Sequence, residues 1–496
     1  MFGTPPKRFI NRQSCLSGLL LLSVALAVPG HAETSGQEAD IPAGEQAMAE
    51  LAALGESSGA ESARALPSLP RLFQRSLEYD ADLSRQRFEV EATREEVPLA
   101  RSQLLPQVTA SGGYLWQDST NIQTELDPDV PPEQQNVRPG EINEHHWQVQ
   151  VQQPLFSLER WRGMDRARAQ VSVSELQLAV AESDLALQVA EAYVNAYLAS
   201  RRLGLLEAQK ESLELQVRQA QRAYDLGVGD RINLLEARSR LDQAISDAVM
   251  AENELGNALT LLERLTGELP DFSGFQLGDV VSASVQQDWG DIEDWLKRTA
   301  NNPRVRLARE QQRVNQADSS MRRGGYFPEV NLNLSYSDRE SDDELRSSED
   351  YRASVELSVP LYRGGFTSAS VRQADLNARA AEEGVAHELN LAGQEVRQRI
   401  RSLNGSVRQL QALGESVASS ELFLQAAERG EQLGLRDLVD VLDARASLYD
   451  QRIRYVDTIG RYVLDQLALK AAVGELRSDD MQQAMQLLAS ITDTAD

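Results

Sequence analysis

Leu433-Gly434-Leu435-Arg436-Asp437-Leu438-Val439-Asp440-Val441-Leu442-Asp443-Ala444-Arg445 is the second copy of a signal the chain has already given as Leu226-Gly227-Val228-Gly229-Asp230-Arg231-Ile232-Asn233-Leu234-Leu235-Glu236-Ala237-Arg238. The copies lie 207 positions apart, and Leu265-Thr266-Gly267 returns as Ala472-Val473-Gly474 at the same offset, so no gap falls between the two signals. Upstream, Leu104-Leu105-Pro106-Gln107-Val108 returns as Tyr326-Phe327-Pro328-Glu329-Val330, and Gln153-Pro154-Leu155-Phe156 as Val359-Pro360-Leu361-Tyr362. The chain is therefore an internal duplication. Residues 69–275 and 287–480 each read as short helix, two strands, very long helix, tight turn and second helix.

The long helices follow from what is missing. No proline falls between Leu158 and Leu226, or between Thr367 and Leu433. At 1.5 Å per residue such a stretch makes a rod of about 100 Å. Val171, Leu178, Leu185, Ala192, Ala199, Leu206, Leu213 and Ala220 recur at every seventh position, as do Leu389, Val396, Leu403, Leu410, Val417 and Leu424. These are sustained heptad seams. Gly227 and Gly434 break the rods, Asp230 and Asp437 can cap the returning helices, and those helices run to Gly267 and Gly474. The polar residues between the seams suit either a solid coiled coil or a hollow ring of helices.

Three of the strands alternate, while the first, Val108 to Trp116, is less regular and holds Gly112 and Gly113. Every second residue of Val330-Asn331-Leu332-Asn333-Leu334-Ser335-Tyr336-Ser337 is apolar, and Tyr351–Val359 and Trp147–Gln152 alternate likewise. Strands are expected at about 107–116, 146–153, 330–337 and 351–359, each the length of a tilted membrane strand. An amphipathic hairpin packed on a soluble core would show the same pattern. Four strands cannot close a membrane barrel, which needs about eight, and an open edge in lipid leaves backbone groups unpaired. If these strands span a membrane, several chains must pool them; three chains would give twelve.

The flanks and composition narrow the function. Residues 1–32 read as a secretory signal: Lys7, Arg8 and Arg12, an apolar run from Leu16 to Val28, and small residues at Gly30 and Ala32. A membrane anchor is the competing reading. Residues 33–68, rich in Ala, Gly, Ser and Glu, read as a flexible acidic arm, and 481–496 as a C-terminal tail. The 496 residues carry a formal charge of −26, which argues against a nucleic-acid partner. Cys15 is the only cysteine, so no disulfide framework, cysteine zinc site or catalytic thiol outlasts the signal. The four histidines (His31, His145, His146 and His387) form no metal-ligand spacing, and no glycine-rich phosphate loop occurs. Gly55-Glu56-Ser57-Ser58-Gly59 matches a nucleophile elbow but lacks the strand and helix that pattern requires. No catalytic residue, metal or cofactor is expected.

The duplicated, ordered set of motifs over about residues 69–480 resembles the TolC-type outer-membrane channels. The resemblance implies a homotrimer with a 12-stranded outer-membrane barrel, a periplasmic barrel of coiled-coil helices, and docking to an inner-membrane pump or ABC exporter through a periplasmic adaptor. It implies that Asp440 and Asp443 line the periplasmic constriction. Arg436, with Asn233 and Glu236 on the first tip, takes the closed-state contacts. Gly227, Val228, Gly434 and Leu435 form the adaptor-contact tips. The tyrosine usual in the family shortly before the arginine is Glu431 here, and the partner aspartate of the first tip is Asn233, so the closing network is altered. The expected function is the exit duct of an efflux or type I secretion system, the missing lipid-anchor cysteine leaning toward secretion or general use. A secreted or periplasmic coiled-coil scaffold or adhesion protein is the alternative.

Overall fold

The computed structural model describes residues 66–118, 141–272, 285–286, 288–343 and 346–490. The signal, nearly all of the acidic arm and the segment 119–140 between the first two strands lie outside them. Helices α1 (Leu69–Tyr79), α2 (Ala81–Arg94) and α3 (Glu96–Ser102) lead into strands β1 (Gln107–Asp118) and β2 (Glu141–Ser157), then the rod α4 (Leu158–Asp225) and its return α5 (Arg231–Thr266). The second repeat runs α6 (Ile292–Arg298), α7 (Pro303–Gly324), β3 (Glu329–Ser341), β4 (Ser348–Ser358), rod α8 (Phe366–Gln432) and return α9 (Leu438–Ala472). A final helix, α10, spans Ser478–Ala489.

The rods have 68 and 67 residues and end where the two glycines stand. Their heptad seams are the buried stripe: Leu185, Ala192, Ala199, Leu206 and Leu213 are buried on α4, and Val396, Leu403, Leu410 and Val417 on α8. Each return covers about half a rod. Over the other half α7 packs against both α4 and α8, while α1 to α3 lie on α4. The main core forms near mid-rod, where Tyr193 and Tyr197 of α4 meet Leu262 of α5, Ile400 of α8 and Ile459 of α9.

The strands run a few residues beyond the expected bounds, β3 to Ser341 and β4 from Ser348, and three differences from the sequence reading have a clear cause. The opening helix of the first repeat is broken at Asp80, whose side chain accepts from Leu83 N–H at 2.8 Å and restarts the chain as α2. Strand β2 has 17 residues, extending the expected 146–153 in both directions. It continues past Pro154 because the register shifts between Pro154 and Phe156, a bulge that spares the ladder the missing N–H. The boundary at 480 falls inside α10, so Met481, Ala484 and Leu488 belong to the core and not to a tail.

The sheet is antiparallel in the order β1-β2-β3-β4. Its register sorts most of the side chains, although Asp338 and Glu349 sit beside Trp147 on the otherwise apolar face. Val108, Ala110, Tyr114, Trp147, Val149, Val151, Leu332, Leu334, Tyr336, Tyr351, Val355 and Leu357 share one face. Gln148, Gln150, Gln152, Asn333, Ser335, Arg352 and Ser354 share the other. On the apolar face Tyr351 is 78% exposed and Val108 66%, so this face rests on no core among the described residues. That removes the hairpin-on-a-soluble-core alternative. Aromatic rings cross the strands in a band, with Trp147 and Tyr336 centroids 5.1 Å apart and Tyr336 and Tyr351 4.7 Å apart. Such a belt suits a headgroup interface. No described helix is long and apolar enough to cross a membrane.

Helix α10 is held by a buried hydrogen bond, Tyr197 O–H donating to Leu488 O at 2.8 Å. Burial pushes the Tyr197 phenol from 10.0 up to about 12. The fold therefore favours the neutral phenol, a contribution complete below pH 10 and lost as pH rises through 12. Tyr197→Phe should cost about 1–2 kcal/mol by leaving the Leu488 carbonyl unpaired. It should also reduce the loss of stability between pH 10 and 12. Urea unfolding at pH 8 and pH 11 checks both.

Candidate gate at the helix tips

Both rods end in the same turn, bond for bond. Gly227 has φ 74° and Gly434 φ 69°, the left-handed region that glycine enters without strain. Gly227 N–H donates to Tyr224 O at 2.9 Å and Val228 N–H to Ala223 O at 3.0 Å; Gly434 N–H donates to Glu431 O at 2.9 Å and Leu435 N–H to Gly430 O at 2.8 Å. These are paired Schellman closures, which satisfy the last carbonyls of each rod. Val228, 82% exposed, and Leu435, 78% exposed, form the apices.

The tips differ where their turns close. The ideal Cβ position of Gly229 lies 2.8 Å from Ala223 Cβ and 2.9 Å from the Ala223 carbonyl carbon, so only glycine fits. At the equivalent places of the second tip stand Arg436 and Gly430, the small residue having changed sides to admit the arginine stem. The turn opens slightly to match: the Gly229 N–H bond to Ala223 O is 2.9 Å, and that of Arg436 to Gly430 O is 3.3 Å. Asp230 caps α5 by accepting from Ile232 N–H at 3.2 Å. The expected cap at Asp437 does not form through its side chain; instead its carbonyl accepts from Asp440 N–H at 3.1 Å.

Asp440 and Asp443 share the exposed side of α9, while the intervening Val441 and Leu442 are buried. The two carboxylates have different partners. Arg240 of α5 donates through Nη2 to Asp443 Oδ1 at 2.7 Å and through Nε to Glu236 Oε1 at 2.9 Å. Arg436 Nη1 lies 3.7 Å from Asp440 Oδ2, a looser approach, and its guanidinium sits 5.4 Å from the centre of the Phe423 ring. Glu236 and Asp443 thus meet at one arginine, and Asn233 takes no part in that cluster. The sequence reading missed Arg240. Its only local signal is the four-residue spacing from Glu236.

Farther from the tip, arginines of α9 form rungs to the rods. Arg445 donates to Ser212 of α4 and Glu428 of α8, and Arg452 to Glu421 of α8 at 2.6 Å. Arg202 of α4 reaches Glu254 at 2.8 Å and Asp457 at 3.1 Å. Among the described residues no group of His, Cys, Asp or Glu could hold a metal ion.

A sequence profile of the outer membrane efflux protein family matches residues 72–268 and 297–475, both repeats nearly whole. The chain belongs to the outer membrane efflux protein family. It is therefore a conduit and not an enzyme. Outer membrane protein TolC of Vibrio cholerae is 28% identical over 437 residues, covering 87% of this chain and 95% of that protein. Alkaline protease secretion protein AprF of Pseudomonas aeruginosa is 27% identical over 386 residues, covering 75% and 77%. The Campylobacter jejuni CmeC outer membrane channel has the same fold, with a TM-score of 0.69 at 16% identity over 88% of this chain and 95% of that one. Membership gives each end of the efflux protein its place. The sheet belongs in the outer membrane, and the rods extend into the periplasm.

The exchanged pairs predict a compensation. Gly229→Ala alone should overpack the first tip by about 1–3 kcal/mol and speed tryptic cleavage at Arg222 or Arg231 about tenfold. Adding Ala223→Gly should recover part of the resistance, since it removes the Ala223 Cβ contact and leaves the backbone contacts at Ala223 and Tyr224. Timed digestion read by mass spectrometry checks it.

Proposed function

We propose that three copies of this chain pool their sheets into a 12-stranded barrel that is the outer-membrane mouth of a duct. The observation that carries this reading is the open four-stranded sheet, whose apolar face is bare and whose β1 and β4 have no partner on their outer edges among the described residues. In hydrocarbon each unpaired backbone group costs several kcal/mol. Pairing β4 of one copy with β1 of the next removes every edge at once. The polar face, carrying Gln148, Gln150, Ser335 and Arg352, then lines water, and the rods continue the passage as a periplasmic helical barrel. A scaffold or adhesion protein would have no use for the bare apolar face.

The duct serves as the exit of a multi-component efflux or type I secretion system. An inner-membrane pump or ABC exporter supplies energy, and a periplasmic adaptor seats on the turns at Gly227, Val228, Gly434 and Leu435. Names among the relatives support both uses: a protease secretion protein and the cation efflux protein CusC of Escherichia coli. The passage narrows at the tips, where Asp440 and Asp443 of three chains face the axis and Arg436, Asn233 and Glu236 hold the closed state. Rings of acid favour cations.

The detergent-solubilised protein should have the mass of three chains; a stable monomer would refute the pooled barrel. Asp440→Ala with Asp443→Ala should weaken block by multivalent cations by about tenfold or more and lower cation selectivity. Planar-bilayer recording decides, and unchanged block would put the constriction elsewhere.

A further inference from the structure

We infer that Arg240 sets the cation preference of the gate by offsetting part of the acidic charge of Asp443 and Glu236, so that a passing ion meets a weaker field than the carboxylates alone would make. The inference rests on the proposed facing of Asp440 and Asp443 toward the axis.

The two acids of α9 are unequal. Asp443 receives a hydrogen bond of 2.7 Å from Arg240, a guanidinium on a different helix and 203 positions away in sequence. That guanidinium is fixed from its other side by Glu236 at 2.9 Å. Among the described residues Asp440 is approached by Arg436, which stands in the turn just before α9, at 3.7 Å, and that cation is shared with the Phe423 ring. Arg240 is also peculiar to one repeat. The residue at its place in the second repeat is Ser447, whereas the acids keep partial counterparts, Glu236 for Asp443 and Asn233 for Asp440. Three chains would bring three such cations to the same level of the passage.

A residue that merely ties α5 to α9 and one that offsets charge make different forecasts. The readout is the concentration of lanthanum(III) giving half-block of single channels, applied from the tip side. Removing a positive charge beside each of three carboxylates should lower that concentration about tenfold in Arg240→Gln. Arg240→Lys, which keeps the charge, should stay within about twofold of the unaltered channel. Asp443→Asn should raise the half-block concentration about tenfold. Arg240→Gln combined with Asp443→Asn, which removes one positive and one negative charge per chain, should return close to the starting value. A combined variant that blocks as weakly as Asp443→Asn alone, or an Arg240→Gln channel with unchanged or weaker block, would overturn the role of Arg240. Asp440→Asn separates the two readings. Weaker block in that variant supports the axial facing whatever Arg240 does, and unchanged block overturns the facing and this inference with it.

Discussion

A strand in hydrocarbon has no water to take its unmatched N–H and C=O groups, and this chain makes only four strands. The sheet's bare edges and bare apolar face would be a liability in a soluble protein, yet the alternation behind that face is kept over Trp147–Gln152, Val330–Ser337 and Tyr351–Ser358. The bulge at Pro154 belongs to the same requirement, since it keeps β2 in register with β3 where a proline would otherwise end the pairing. The helical half meets its own version of the constraint. Every rod end must dispose of its last carbonyls, and both do so through the same Schellman closure.

The duplication supplies a matched frame on which unmatched chemistry sits. The rods differ by one residue and their turns by none, so a side chain present in one repeat and absent from the other stands out. Arg240 against Ser447 and the Gly229 and Arg436 exchange are of this kind. Individually, exposed ion pairs such as Arg240 with Asp443 add little to stability. In the proposed duct their effect would be on where charge lies around the passage, which is a different quantity from how firmly helices adhere.

The rods, their ends and their buried stripes were legible because heptad spacing, missing prolines and two glycines are local signals, and burial follows them directly. The alternation in β3 and β4 was legible for the same reason. The true reach of β2 was not, because its ends are fixed by partners on β1 and β3. Helix α10 was hidden because its twelve residues gain order only by covering Tyr197. The placing of Asp440 and Asp443 on one exposed side could be anticipated from their spacing of three. The arginine bound to Asp443 could not, since the pairing depends on how α5 and α9 are set beside each other by the turns.

The near-equal rods also act as a gauge. Inserting residues in one rod alone would carry its glycine turn past the neighbouring one and shift every rung of arginine and carboxylate out of step. Only whole heptads, added to both rods and both returns together, would keep the seams facing inward. Each such step lengthens the rods by about 10 Å, so the length of the helical half changes in whole steps and not by drift.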